Sequence, residues 1–114
     1  MSKVPAAPKG TRPNGRRLWV DVLSNFDLDE HETALLREAV RTVDALDALD
    51  DVVRRDGVMT TTDLGAPRVH PALVEARQLK LALARLLAAL RMPAGDDEPG
   101  SRPQRRGAPR GTYA

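Results

Sequence analysis

Two histidines and a run of closely spaced carboxylates are the residues of this 114-residue chain whose types could do chemistry. His31 sits among Asp29, Glu30 and Glu32, and His70 is far from it in sequence. A protein zinc site needs His or Cys at spacings that bring ligands together, such as i and i+4 on a helix. Neither histidine has such a partner and the chain contains no Cys, so no metal or other cofactor is expected. The stretch "VDALDALDD" places Asp44, Asp47, Asp50 and Asp51 along a helix. General acid/base catalysis needs a carboxyl pair held in a dry pocket, and a surface stripe does not provide one. These acids form either a solvated face or a docking face for Arg77, Lys80 or Arg85 of a neighbouring copy. Exposed pairs of that kind add up to ~1 kcal/mol each, enough to set register if not to drive association. Without a Cys nucleophile, a GxSxG elbow or a GxxxxGK[ST] phosphate loop, the chain is not expected to be an enzyme.

The remaining chemistry is basic. Residues 1–17, "MSKVPAAPKGTRPNGRR", carry Lys3, Lys9, Arg12, Arg16 and Arg17 and no acid; residues 99–114 carry Arg102, Arg105, Arg106 and Arg110, again with no acid. Residues 27–56 between them hold ten Asp/Glu against four Arg. The formal charge of +2 conceals this asymmetry. Cations in an acid-free segment neutralise phosphates and release counterions, a sequence-independent attraction to nucleic acid; the alternative is a solubilising tail. Both ends are rich in Pro, Gly, Ala and Arg, a composition that buries too little apolar surface to offset its ordering entropy. The organisation expected is a flexible basic tail over residues 1–13, a helical oligomerisation domain over 14–93 and a flexible basic tail over 94–114.

The elements that position these groups are mainly helical. A short first helix is predicted from about Gly15 to Leu23, with Leu18, Trp19, Val22 and Leu23 on one face. Trp19 and Phe26 either anchor it to the core or stack on a partner. Asp29 with Glu32 three residues later reads as a capping box. It opens a second helix that runs to about Asp56, where Gly57 supplies the stop. Leu35, Ala39, Leu46, Leu49 and Val53 share one face there, flanked by Leu36, Val40 and Val43, in a spacing close to a coiled-coil seam. "VMTTTDLGAPRVH" follows, readable as a small β-hairpin or an irregular loop. Pro71 then marks the first turn of a third helix with His70 at or beside its N-cap, ending near Arg91 and Met92 before Pro93 and Gly95.

The third helix is apolar on two sides. Leu79, Leu83, Leu86 and Leu90 form one stripe with Ala76 and Leu87 beside it, and Val74, Leu81 and Ala88 form another roughly opposite, with Ala84 nearby. A helix apolar round most of its circumference is buried, yet one antiparallel neighbour covers only one stripe. Oligomerisation through the helical hairpin is therefore expected, its interface drawn from Val74, Leu79, Leu81, Leu83, Leu86, Leu87 and Leu90 with Leu46, Leu49 and Val53.

The ordered set of signals resembles a known family. "LW" on a short first helix leads to "DLDEHETALLREAVRTVDALDAL", then a Gly and a Thr-rich segment, "RVHPAL" opening the third helix and "RLLAALRMP" closing it. Over about residues 16–93 this is similar to the small terminase subunits of tailed double-stranded DNA bacteriophages, in the branch with HPAL at the helix entrance. Arg91 in "LRMP" stands where relatives tend to have the Gly of "LGLP". The resemblance implies a ring of several subunits that binds the packaging start on viral DNA and regulates the large terminase subunit, the ATPase and nuclease. It also implies that the basic tails contact DNA or the motor, and that His-Pro is only a helix entrance. Many such proteins read DNA with a helix-turn-helix, but a second helix that begins with Asp29, Glu30 and Glu32 would repel phosphate. Arg16 and Arg17 are the better candidates for backbone contacts.

Two other readings fit part of the pattern: a small dimeric DNA-binding regulator, and a coiled-coil adaptor that binds protein only. The first residues lack the apolar stretch of a signal peptide. The longest apolar block, "LALARLLAAL", is about half the ~20 residues needed to cross a bilayer. A soluble protein of the host-cell cytoplasm, without membrane partners, is the expected setting.

Overall fold

The computed structural model describes residues 4–91 and the backbone of residues 104–105. The fold is mainly α-helical, with three helices and a small two-stranded antiparallel sheet between the second and third, as expected.

Helix α1 (Pro13–Asn25) starts two residues before the predicted Gly15 and ends two after Leu23. Pro13 occupies its first turn, where the missing N–H leaves nothing unsatisfied. The N-cap residue Arg12 contributes no side-chain cap. Asp44 from the next helix reaches across instead, its Oδ2 accepting the Arg12 backbone N–H at 3.0 Å. The carboxylate thus lies at the positive end of the α1 dipole.

Strand β1 (Phe26–Asp27) leads into α2 (Glu30–Asp56). Its capping box is formed: the Asp29 carboxylate accepts the N3 backbone N–H and Glu32 Oε1 accepts the Asp29 N–H at 2.8 Å. Glu30 and Glu32 in the first turn and Arg54 and Arg55 in the last complement the helix dipole. Gly57, at φ +87°, ends the helix in a conformation that side chains rarely adopt.

The segment between the long helices is the hairpin and not the irregular loop. Strand β2 (Met59–Thr61) pairs antiparallel with β3 (Pro67–Val69), placing Met59 opposite Val69 and Thr60 opposite Arg68. Gly65, at φ +85°, makes the turn, its N–H donating to the Thr62 carbonyl. Helix α3 (Pro71–Leu90) then returns along α2. Arg91 closes it at φ 58°, the left-handed position where glycine is favoured, and donates its N–H to the Ala88 carbonyl. Met92, Pro93 and Gly95 lie outside the described residues.

The core gathers at one end of this hairpin. Trp19, Val22, Leu23 and Phe26 pack on Leu36 and Val40 of α2 and Leu90 of α3. Trp19 and Phe26 are therefore core anchors. Towards the β-hairpin, among the described residues, α2 and α3 cover mainly one another. Leu46, Leu49, Val53, Leu79 and Leu83 are accordingly half-buried.

The described residues before α1 are seated on the fold. Residues 4–12 lie along the core: Val4 and Ala7 pack against it, and Trp19 Nε1 donates to the Pro5 carbonyl at 2.9 Å. Thr11 is buried and its hydroxyl bonds the Pro8 carbonyl. Two small apolar residues and one backbone acceptor suffice to seat this short extended segment beside Trp19, whatever its average composition. At the other end, β4 (Gln104–Arg105) pairs antiparallel with β1, Arg105 opposite Phe26.

Candidate assembly and nucleic-acid surfaces

The apolar positions of α3 separate by face. Ala72, Ala76 and Leu90 are buried, and Leu79, Leu83, Leu86 and Leu87 are half-buried. The predicted second stripe is open: Val74 is 55% and Leu81 51% exposed, with Ala84 and Ala88 exposed beside them. The proposed interface residues thus divide into a seam already used within the chain and a stripe left open among the described residues. The β-hairpin adds further exposed apolar side chains, Val58, Met59, Val69 and Leu64, which the sequence reading did not single out.

A groove runs along the thin part of the hairpin, between Leu46, Leu49 and Val53 of α2 and Leu73 and Ala76 of α3. Asp47, Asp50 and Lys80 line it as well. The carboxylates expected to form a solvated or docking face are therefore partly committed. Asp44 is turned towards α1, Asp47 Oδ2 accepts from Asn14 Nδ2 at 2.9 Å, and Asp50 pairs with Arg54 at 2.7 Å. Asp51 pairs with Arg12 at 2.6 Å, and this hydrogen bond raises the Arg12 pKa further above its usual range.

That pairing changes the standing of the basic residues. Arg12 pairs with the acid face of α2 and joins α1 to it. A separate cleft at this contact, between the start of α1 and α2, is lined by Arg12, Arg17, Asp47, Asp50, Asp51 and Arg54. Arg16 is exposed, with its guanidinium donating to the Thr11 carbonyl at 3.1 Å, and Lys9 is exposed. Lys3, Arg102, Arg106 and Arg110 lie outside the described residues, as does the side chain of Arg105. Lys9 precedes α1 and Arg16 and Arg17 lie in its first turns.

His70 is built into the hinge between β3 and α3. It is 9% exposed; its Nδ1 accepts the Ala72 N–H at 3.0 Å, and its Nε2 lies 2.9 Å from Asp56 Oδ2. An Nδ1 that accepts from an amide carries no proton, so in the neutral ring Nε2 is the donor to Asp56. Arg55, and secondarily His70, hold the Asp56 carboxyl well below the usual carboxylate range. His70 therefore caps α3 and ties it to the end of α2, a structural role beyond what the HP dipeptide alone conveys. His31 is exposed on the first turn of α2. Among the described residues no group of three or more His, Asp or Glu side chains is arranged to hold a metal, and no helix is long and apolar enough to cross a membrane.

Comparison with known proteins adds no relative: no family model matches the chain, and no curated protein or solved structure is significantly similar to it.

Proposed function

We propose that this chain is a small terminase subunit of a tailed double-stranded DNA phage. In this reading it assembles into a ring, binds the packaging start on viral DNA in the host cytoplasm and regulates the large terminase subunit. The observation that carries the assembly part is the open stripe of Val74 and Leu81 on a helix whose other side is already packed. A helix of this kind leaves apolar surface that a further copy would remove from water. The identity of the assembly rests on the ordered resemblance from "LW" to "RVHPAL" and "RLLAALRMP".

DNA attraction in this reading is distributed. Each copy offers Lys9, Arg16 and Arg17 near α1 and further Arg in residues 99–114. A few charges bind weakly at physiological salt, whereas many copies held together act at high effective concentration. The chain carries no catalytic group of its own in this account; cleavage and ATP hydrolysis belong to the large subunit.

The test is native mass by light scattering at moderate salt, followed by duplex-DNA binding over a salt series. The expected result is a closed assembly of several copies whose DNA affinity falls steeply with salt. Removing residues 99–114 should flatten that slope. A monomer or a simple dimer, or DNA binding indifferent to salt, would overturn the proposal.

A further inference from the structure

The open stripe and the groove are different surfaces of the same hairpin, and they match one another. Val74 and Leu81 are seven residues apart on α3, as are Leu46 and Val53 along the α2 wall of the groove. Seven helical residues rise about 10.5 Å in both cases. Side chains at this spacing can enter holes at the same spacing, as they do in coiled coils.

The charges agree with the spacing. Arg77 and Arg85 are exposed around the stripe, whereas Asp47 and Asp50 line the groove. Asp47 accepts from the neutral amide of Asn14, Asp50 pairs with exposed Arg54, and Lys80 is the one cation among the groove's lining residues. The groove's lining thus sets two carboxylates against one ammonium where the stripe carries two guanidiniums, an arrangement that favours one docking orientation over others.

We infer that the occupant of the groove is the α3 stripe of a second copy of this chain. Val74 and Leu81 enter between Leu46, Leu49 and Val53 of the neighbour, while Arg77 and Arg85 face its Asp47 and Asp50. The contact is heterologous, because each copy gives one surface and receives on another. Heterologous contacts propagate into rings when the rotation closes, whereas self-complementary contacts stop at dimers. This inference rests on the self-assembling reading above and specifies its geometry.

The chain has no native Cys, so single cysteines report contacts cleanly. Leu81→Cys and Asp50→Cys both fall at exposed positions and should leave the fold intact, which circular dichroism checks. After mild oxidation, the chain carrying both substitutions should give a ladder of covalent oligomers on a non-reducing gel, and either substitution alone should give none. If Leu81→Cys alone forms covalent dimers, the stripe packs on itself and the heterologous contact is wrong, although self-association stands. Assembly by light scattering without any ladder from the double variant also overturns the contact alone. A native protein that stays monomeric at all concentrations removes both the contact and the reading beneath it.

Discussion

Gly15 of α1 lies directly against the carboxylate of Asp44 on α2, so close that a Cβ at position 15 would stand 2.3 Å from Asp44 Oδ1. The same carboxylate accepts the Arg12 N–H through its other oxygen. One contact thus sets both the approach of the two helices and the capping of α1.

Helix propensity alone would favour alanine at position 15 by about 1 kcal/mol. The contact reverses the sign, because Asp44 must move and lose its bond to Arg12. Gly15→Ala is expected to destabilise the protein by roughly 1–2 kcal/mol, within the range of lost caps and overpacked sites. In an Asp44→Ala background the same change should become neutral or stabilising. Urea unfolding of the four proteins in this cycle measures the coupling. Additive effects would show that the helices are not held by this contact.

His70 performs two tasks that substitution can separate. His70→Ala removes the α3 cap and the link to Asp56, and should lower stability by about 2 kcal/mol, from a cap near 1 and a part-buried hydrogen bond near 1. Asparagine is a good N-cap, so His70→Asn should restore about half of that loss. Thermal or urea unfolding distinguishes the two; equal losses would mean that the cap contributes nothing.

Asp56 gives the hinge a defined pH dependence. Its carboxyl is held below its ordinary value by Arg55 and then by His70. A group lowered on folding contributes stability that is complete above its unfolded pKa, near 4, and declines as pH falls from there towards the folded value. The native protein should therefore lose stability between about pH 4 and pH 2 faster than Asp56→Asn does. Unfolding midpoints across that window test this; parallel curves would show that the Arg55–Asp56–His70 cluster adds nothing.

Most of the helical frame could be read from particular residues. Asp29 with Glu32, Gly57 and Pro71 fixed three helix ends because each acts through its own local backbone chemistry. The open second stripe of α3 was also legible, since periodicity alone counts the faces a single neighbour can cover. What escaped depended on groups distant in sequence: the Asp44 carboxylate at the start of α1, the pairing of Arg12 with Asp51, and the link from His70 to Asp56. No local pattern announces a carboxylate 32 residues from the backbone N–H it accepts. The seating of residues 4–12 escaped for a different reason, because average composition says nothing of one indole placed to receive them.

That segment makes a prediction of its own. Trp19 is the chain's single tryptophan and is 3% exposed, with its indole N–H on the Pro5 carbonyl. Removing residues 1–9 takes away Val4, Pro5 and Ala7, so Trp19 emission should shift to longer wavelength and the melting temperature should fall. Fluorescence and calorimetry on the truncated chain check this. Unchanged values would mean that the segment is a free tail.

The last prediction separates folding from assembly on a single helix. Leu90 is 1% exposed within the core and Leu81 is 51% exposed on the open stripe, although both are leucines of α3. Leu90→Ala should cost about 2–5 kcal/mol, through lost burial and the cavity left behind. Leu81→Ala removes far less buried surface from the single chain and should cost less than about 1 kcal/mol, near the small effects of exposed substitutions. In an assembled protein the order reverses: Leu81→Ala should lower the assembled fraction at low concentration, while folded Leu90→Ala chains retain the stripe and still associate. Unfolding measured below the association range, paired with light scattering above it, separates the two effects. If Leu81→Ala leaves assembly untouched, the open stripe is not the contact, and the exposed apolar face of the β-hairpin becomes the surface to test next.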